Sequence, residues 1–230
     1  MRVSDFQGAP YASEEFARVL DEHRGEWAPV VSGVSVDSAR DLLVRYRELV
    51  CAENEVQNLT RILGPLDFYR GHVLDVVALH KSGFFSERNF DLGSGAGVPG
   101  LISACLNSQL LWTLGESEGR KADFLARAAD ALGLKNVGVA TGRAEDTLLN
   151  QPSIRVISRA VGPVLRIFNW IEKCSTWNTL VLFKGPNWEE EWSEFQRSGK
   201  RSKLKLANSH TYEIPGPETK HRLIVELTRN

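Results

Sequence analysis

Residues Asp91 to Gly100 read Asp-Leu-Gly-Ser-Gly-Ala-Gly-Val-Pro-Gly. They follow the strand-like run Asn89-Phe90-Asp91-Leu92 and lead into an apolar, helix-like stretch from Gly100 to Leu106. A strand that turns through glycines into a helix is the corner at which α/β proteins bind nucleotides. Glycine lets the backbone turn tightly and lets a ligand approach it closely. The helix start adds free N–H groups and the positive end of a dipole. Pro99 costs little at a helix start, where its missing N–H would have had no partner.

Two patterns fit this corner. Gly95-Ala96-Gly97-Val98-Pro99-Gly100 matches the dinucleotide pattern G-x-G-x-x-G. Asp91-x-Gly93-x-Gly95-x-Gly97 matches the S-adenosylmethionine loop of Rossmann-like methyltransferases. Either match alone is weak, so the rest of the chain must decide.

Around the corner the pattern alternates. Strands are expected at Phe90–Leu92, Leu110–Leu114 running to Glu116, Val137–Thr141, Ile154–Ser158 and Thr179–Phe183. Helices are expected at Lys121–Leu132 and Val164–Cys174. Such alternation implies right-handed crossovers and a parallel sheet. Leu204–Tyr212 and His221–Leu227 have no helix between them and read as an antiparallel pair at the sheet edge. Before residue 85 the spacing is helical. One helix is expected from an N-cap at Ser13, a second capped by Asp37, and a third over Asp67–Lys81, with a loop over Trp27–Val36. The expected layout is an N-terminal helical cap (1–85) and a Rossmann-like domain (86–230).

Composition narrows the setting. The 230 residues carry a net charge of −1, so any nucleic-acid contact must use a local patch. The three cysteines are widely spaced and no Cys-x-x-Cys occurs, which fits a reducing cytoplasm. Met1–Pro10 does not read as a signal peptide, no run suggests a membrane span, and no His/Cys cluster suggests a metal.

Several positions carry candidate chemistry. Glu116 closes the second strand nineteen positions beyond Gly97, where a carboxylate can accept ribose hydroxyls. In Gly142-Arg143-Ala144-Glu145-Asp146, the Ala144 N–H and the Glu145 carboxylate are placed to meet an adenine edge; acidic residues also suit a helix start there. Arg159 and Lys184 end the fourth and fifth strands, on the rim where open α/β sheets bind ligands. A structural ion pair is the competing role for Arg159, as it is for the His72/Asp75 pair. The run Arg197 to Lys205 holds five basic residues and no acid. Within it Lys200, Arg201 and Lys203 are expected to hold phosphates. The alternative RNA surface is the N-terminal helices with Arg45, Arg47, Arg61 and Arg70.

The chain resembles the ribosomal RNA small subunit methyltransferase G family, also called glucose-inhibited division protein B. The matching stretches are Asn58-Leu59-Thr60, His72-Val73-Leu74-Asp75, Asp91 to Gly100, Gly119-Arg120-Lys121 with Phe124-Leu125, Val156 to Ala160, and Lys184-Gly185. It departs at Glu53, Gly71, Val76 and Glu116, where the family usually has Trp, Arg, Ser and Asp, and in the order His221-Arg222. The resemblance implies a class I S-adenosylmethionine-dependent methyltransferase, acting on N7 of a guanine in 16S rRNA or the small ribosomal subunit, as a cytoplasmic monomer without metal. The cofactor set is then Asp91, Gly93, Gly95, Gly97, Glu116, Ala144, Glu145 and Arg159. Arg159 faces the base, assisted by Lys184, and Asn58 shapes the pocket. The rivals are an NAD-dependent oxidoreductase on the same corner, and a non-catalytic RNA-binding module on the methyltransferase fold.

Overall fold

The computed structural model describes residues 11–150 and 155–230; the expectations for Met1–Pro10 and for Ile154 lie outside the described residues. The N-terminal part is helical: α1 (Ser13–Glu22), α2 (Arg24–Trp27), α3 (Val36–Asn54), α4 (Pro65–Phe68) and α5 (Leu74–Ser82). Two caps differ from expectation. Ser13 lies inside α1, and its hydroxyl is buried without a partner. At α3 the cap is Ser35, whose Oγ accepts the Ser38 N–H at 3.1 Å; Asp37 sits in the first turn, where the dipole favours its charge. Residues expected as loop after Trp27 begin with a short 3₁₀ turn, Ala28–Val30. The single helix expected over Asp67–Lys81 is α4 and α5 joined through a π-helical turn at Tyr69–Val73.

The alternating part follows the expected order. It runs β1 (Arg88–Leu92), α6 (Gly100–Leu106), β2 (Leu111–Glu116), α7 (Gly119–Ala131), β3 (Val137–Thr141), α8 (Ala144–Thr147), β4 (Arg155–Arg159), α9 (Val164–Ile171) and β5 (Thr179–Lys184). Then come α10 (Trp188–Arg197), β6 (Leu204–Ile214) and β7 (Lys220–Arg229). α10 is an addition to the sequence reading. Its inward residues Trp188 and Phe195 are buried, and half-buried Trp192 stacks between them.

The strands form one sheet in the order β3-β2-β1-β4-β5-β7-β6. β1 to β5 are parallel, and β7 runs antiparallel to both β5 and β6. Strand order reverses between β1 and β4, so the crevice beyond their C-terminal ends is where such a sheet binds ligands. Each face carries an apolar cluster. One joins Leu114, Ile157 and Val181 to residues of α1, α3, α5, α6 and α7. The other joins Phe90, Val156, Leu180 and Leu182 to α9 and α10. Strand alternation sends neighbouring residues such as Val156 and Ile157 to opposite clusters. The N-terminal helices therefore share one continuous core with α6 and α7. They are also tied to the corner itself: the Tyr46 hydroxyl on α3 donates to the Ala96 carbonyl at 2.9 Å.

Candidate active site

The corner is shaped by its backbone. Gly93 and Gly95 take φ of 75° and 57°, which disfavour a side chain. The N–H groups of Gly93 and Ser94 both donate to the Gly115 carbonyl of β2, at 2.9 and 3.1 Å. Gly100 begins α6 against the sheet so closely that a Cβ there would lie 2.2 Å from Leu114 Cδ2. At Gly95, by contrast, an added Cβ would meet nothing nearer than the Gly93 carbonyl at 4.0 Å. The backbone at Gly95 thus stands open to an approaching group.

Asp91 and Glu116 hold this shape from below. The Asp91 carboxylate is fully buried; Oδ2 accepts the Gly100 N–H at 2.9 Å, while Oδ1 has no partner. Burial pushes its pKa up to about 7. Glu116 accepts the Gly95 N–H on one oxygen and the Glu118 N–H on the other, both at 2.9 Å. Each oxygen of a carboxylate has two lone pairs, so each keeps an acceptor site for a second donor.

Beside the corner lies a cavity of about 420 Å³. Gly93 and Leu92 line it from β1, Gly115 and Ser117 from the end of β2, Gly142 to Glu145 from the loop after β3, and Val161 and Trp170 from beyond β4. Four separate stretches of sequence meet at one concave place. Ser117 and Trp170 are lining residues that the sequence reading did not single out, and Arg143 and Val161 stood in its motifs without a role. Trp170 stands exposed on α9, where Val164, Ile167, Phe168 and Ile171 are buried and Leu165 is partly so.

Arg159 lies at the end of β4 and points to the face covered by α5. Its Nε donates to Asp75 Oδ2 at 2.7 Å, and its second terminal nitrogen to the Gly71 carbonyl at 2.5 Å. Asp75, with no exposed surface, also accepts from Arg222 on both oxygens, at 2.8 and 2.6 Å, and from the Tyr212 hydroxyl at 2.7 Å. The residue read as half of a His72/Asp75 pair is the hub of this cluster. His72 instead meets Thr60 through Nε2 at 3.1 Å, and burial drops its pKa to about 3. Gly71 packs tightly, since a Cβ would come within 2.9 Å of Ile62 Cδ1. Val76 is fully buried in the apolar core.

Lys184 is not beside Arg159. In the register Arg159 stands opposite Phe183, so Lys184, one residue on, points to the other face. It is buried there, donating to the Gly162 carbonyl at 3.0 Å and to Glu191 of α10 at 2.7 Å. Its role as a base-facing partner of Arg159 is therefore corrected: it braces the loop after β4.

The basic run lies at the far end of the sheet. Leu204 pairs with Arg229, and Arg229 bonds Asn178 just before β5, at the strand starts rather than the strand ends. Lys200 forms an ion pair with Glu172, whereas Arg201 and Lys203 are exposed. β6 has 11 residues, roughly 35 Å at ~3.4 Å per residue, so Lys200, Arg201 and Lys203 stand far from the cavity. The phosphates that these three are expected to hold would belong to RNA remote from the cavity. Arg47 leaves the alternative RNA surface, because it is buried and donates to the Leu63 and Tyr11 carbonyls. Asn58 is exposed in the segment after α3.

Among the described residues, no three or more His, Cys, Asp or Glu side chains are grouped to hold a metal, and no helix is long and apolar enough to cross a membrane. Solved structures share the architecture. The METTL16 methyltransferase domain superposes with a TM-score of 0.53 at 13% identity, covering 99% of each chain. The human methyltransferase 10 domain containing protein gives 0.52 at 13% identity, over 80% of this chain and 96% of that one. Fold and cavity together define a Rossmann-like α/β protein with a ligand-sized cavity at the C-terminal ends of its strands.

The family is narrower still. The model of the GidB family, rRNA small subunit methyltransferase G, matches residues 39–221, and the chain belongs to that family. Ribosomal RNA small subunit methyltransferase G of Solibacter usitatus is 34% identical over 80% of this chain and 87% of its own length. The protein of that name from Rhodopirellula baltica is 33% identical, over 88% and 81% respectively. Membership overturns the oxidoreductase alternative for the glycine corner.

Proposed function

We propose that this protein transfers a methyl group from S-adenosylmethionine to N7 of a guanine in 16S rRNA. One observation carries the reading: in a chain of this family, the corner, the end of β2 and the loop Gly142–Glu145 converge on a single cavity. The residues present fit the cofactor. The open backbone at Gly95 admits a close approach, and Glu116 keeps acceptor sites for ribose hydroxyls. Gly93, Gly95 and Gly97 form the cradle, with Asp91 fixing the turn beneath it. The Ala144 N–H and Glu145 carboxylate face the adenine; Arg159 is not among the cavity-lining residues and stands on the α5 face of the sheet, on the substrate side of the cofactor in this reading. When bound, the cofactor supplies an electrophilic methyl group on a sulfonium.

The chain's own residues position the reactants and keep water out. Guanine N7 offers an in-plane lone pair and carries no proton, so the site requires no general base. A neutral, buried His72 is consistent with that. Catalysis then rests on alignment and fixed electrostatics. Arg159 is the base-facing group, and its bonds to Asp75 and Gly71 hold the guanidinium in one orientation. Lys184 acts indirectly, through the loop carrying Gly162. Asn58 and the N-terminal helices α1 to α5 form the substrate side, and the part from β1 onward forms the catalytic domain. The working protein is a cytoplasmic monomer acting on 16S rRNA or the small ribosomal subunit.

The test is mass spectrometry of 16S rRNA from cells with and without this gene, followed by incubation of the unmethylated RNA with purified protein and labelled cofactor. One guanine should gain a methyl group at N7. Cofactor binding with no methyl transfer to RNA or subunits would leave a non-catalytic RNA-binding module in its place.

A further inference from the structure

The Asp75 cluster holds more positive charge than it neutralises. Two guanidiniums, Arg159 and Arg222, share one carboxylate, which leaves a net charge of plus one beside the end of β4. Asp75 is saturated. It accepts four hydrogen bonds, which fill about all the lone-pair sites of a carboxylate. The arginines are not saturated. Arg222 reaches Asp75 through one terminal nitrogen only, its side chain is 27% exposed, and a guanidinium has five donors. Tyr212, directly opposite Arg222 in the β6–β7 register, holds the same carboxylate and fixes the hairpin that carries Arg222.

The geometry points to Arg222 as a phosphodiester-binding residue that anchors the RNA backbone next to the target nucleotide. This deepens the proposed function and rests on it. A guanine base is neutral before methylation at N7 and cationic after it, so the base does not match the spare positive charge. A phosphodiester does, and a planar guanidinium with a free edge can hold two of its oxygens at once. Lys220 and His221 extend the same hairpin beyond the last β5 residue, Lys184, which pairs with Leu223. Arg222 thus binds the RNA backbone while Arg159, on the other side of Asp75, faces the base.

The experiment compares wild type, Arg222→Gln, Arg222→Lys and Tyr212→Phe, using the full chain and 16S rRNA from cells lacking the gene. Arg222→Gln should raise the KM for RNA about tenfold or more. It should also reduce the slope of log binding constant against log salt by about 0.7 to 0.9. Its kcat and S-adenosylmethionine affinity should stay near wild type. Tyr212→Phe removes a bond to the same carboxylate but no charge, so the salt slope should stay unchanged. If Arg222→Gln is unstable, Arg222→Lys carries the test: it should retain the slope and lose part of the affinity, and unaltered RNA affinity there overturns the inference. An unchanged slope in a folded Arg222→Gln variant does so too. Failure of wild type to bind or methylate the RNA would instead sink the proposed function, and this inference with it.

Discussion

The glycine corner and the Asp75 cluster lie on the same rim of the sheet and are built in opposite ways. The corner is made of backbone. Its turn is spelled by ten consecutive residues and steadied by Gly115 and Glu116 of β2, and its open space at Gly95 exists because side chains are missing. The cluster is made of side chains brought from α5, β4, β6 and β7, and its polar groups bind one another. The first is a preformed cradle. The second is an electrostatic assembly whose spare capacity lies on its cations. A local motif can prepare a cofactor site, whereas a substrate site of this kind waits for the whole fold.

The largest test of that contrast is Gly95→Val. A branched side chain at φ 57° is strained and enters the open space, so S-adenosylmethionine binding should be lost while the fold survives. Calorimetry reporting normal affinity would remove the corner from the site. Arg159→Ala should act on rate instead, lowering kcat by about 100-fold while cofactor affinity changes far less, by analogy with loss of a preorganised donor. Equal losses in both would make Arg159 a structural residue and erase the distinction. Glu116→Ala should weaken cofactor binding by about 1.5–3 kcal/mol, the usual cost of losing hydrogen bonds to a charged group. An unaltered dissociation constant refutes its ribose role.

Smaller effects concern stability and the far end of the sheet. Asp91 titrates near 7 in the fold and near ~3.9 unfolded, so between those values the native state holds the extra proton. Asp91 alone therefore makes stability fall as pH rises from about 4 to about 7. His72 and His80, whose pKa values burial lowers to about 3 and about 4, work the other way and weaken the fold as pH drops below about 6.5. Asp91→Asn should remove the first trend and leave the second, as urea unfolding at pH 5 and pH 8 can show. The smallest effect belongs to the triple change of Lys200, Arg201 and Lys203 to Ala. Methylation at saturating RNA should not change, and a large drop in kcat would mean that the two ends of the sheet communicate.

Legibility followed the same division. Helix α6 runs from Gly100 to Leu106 as expected, because a glycine turn and an apolar run are local signals. The antiparallel β6–β7 edge was also readable, since no helix separates its strands. Caps were less so: Ser35, not Asp37, takes the N–H of Ser38, and either residue type could have done it. Helix α10 carries an apolar stripe at Trp188, Trp192 and Phe195, but only three apolar residues among seven polar ones make its periodicity weak. The Asp75 cluster joins residues 84, 137 and 147 positions apart, and no periodicity connects such distances. The separation of Arg159 from Lys184 depends on the register of two strands, which their sequences do not state.

The π-helical turn at Tyr69–Val73 ties this electrostatics to simple counting. A π turn is a one-residue insertion in an α-helix, and each residue of an α-helix advances the winding by about 100°. The wider π turn takes up that extra residue; wound instead as ordinary α-helix, the same residues would turn α5 by about that angle relative to α4. Asp75 would swing away from Arg159 and Arg222 toward the apolar core that now takes Val76 and Val77. Two arginines would lose their counterion, and a carboxylate would be stranded among valines. In this molecule the phase of one helix sets the sign of the potential at the mouth of the site.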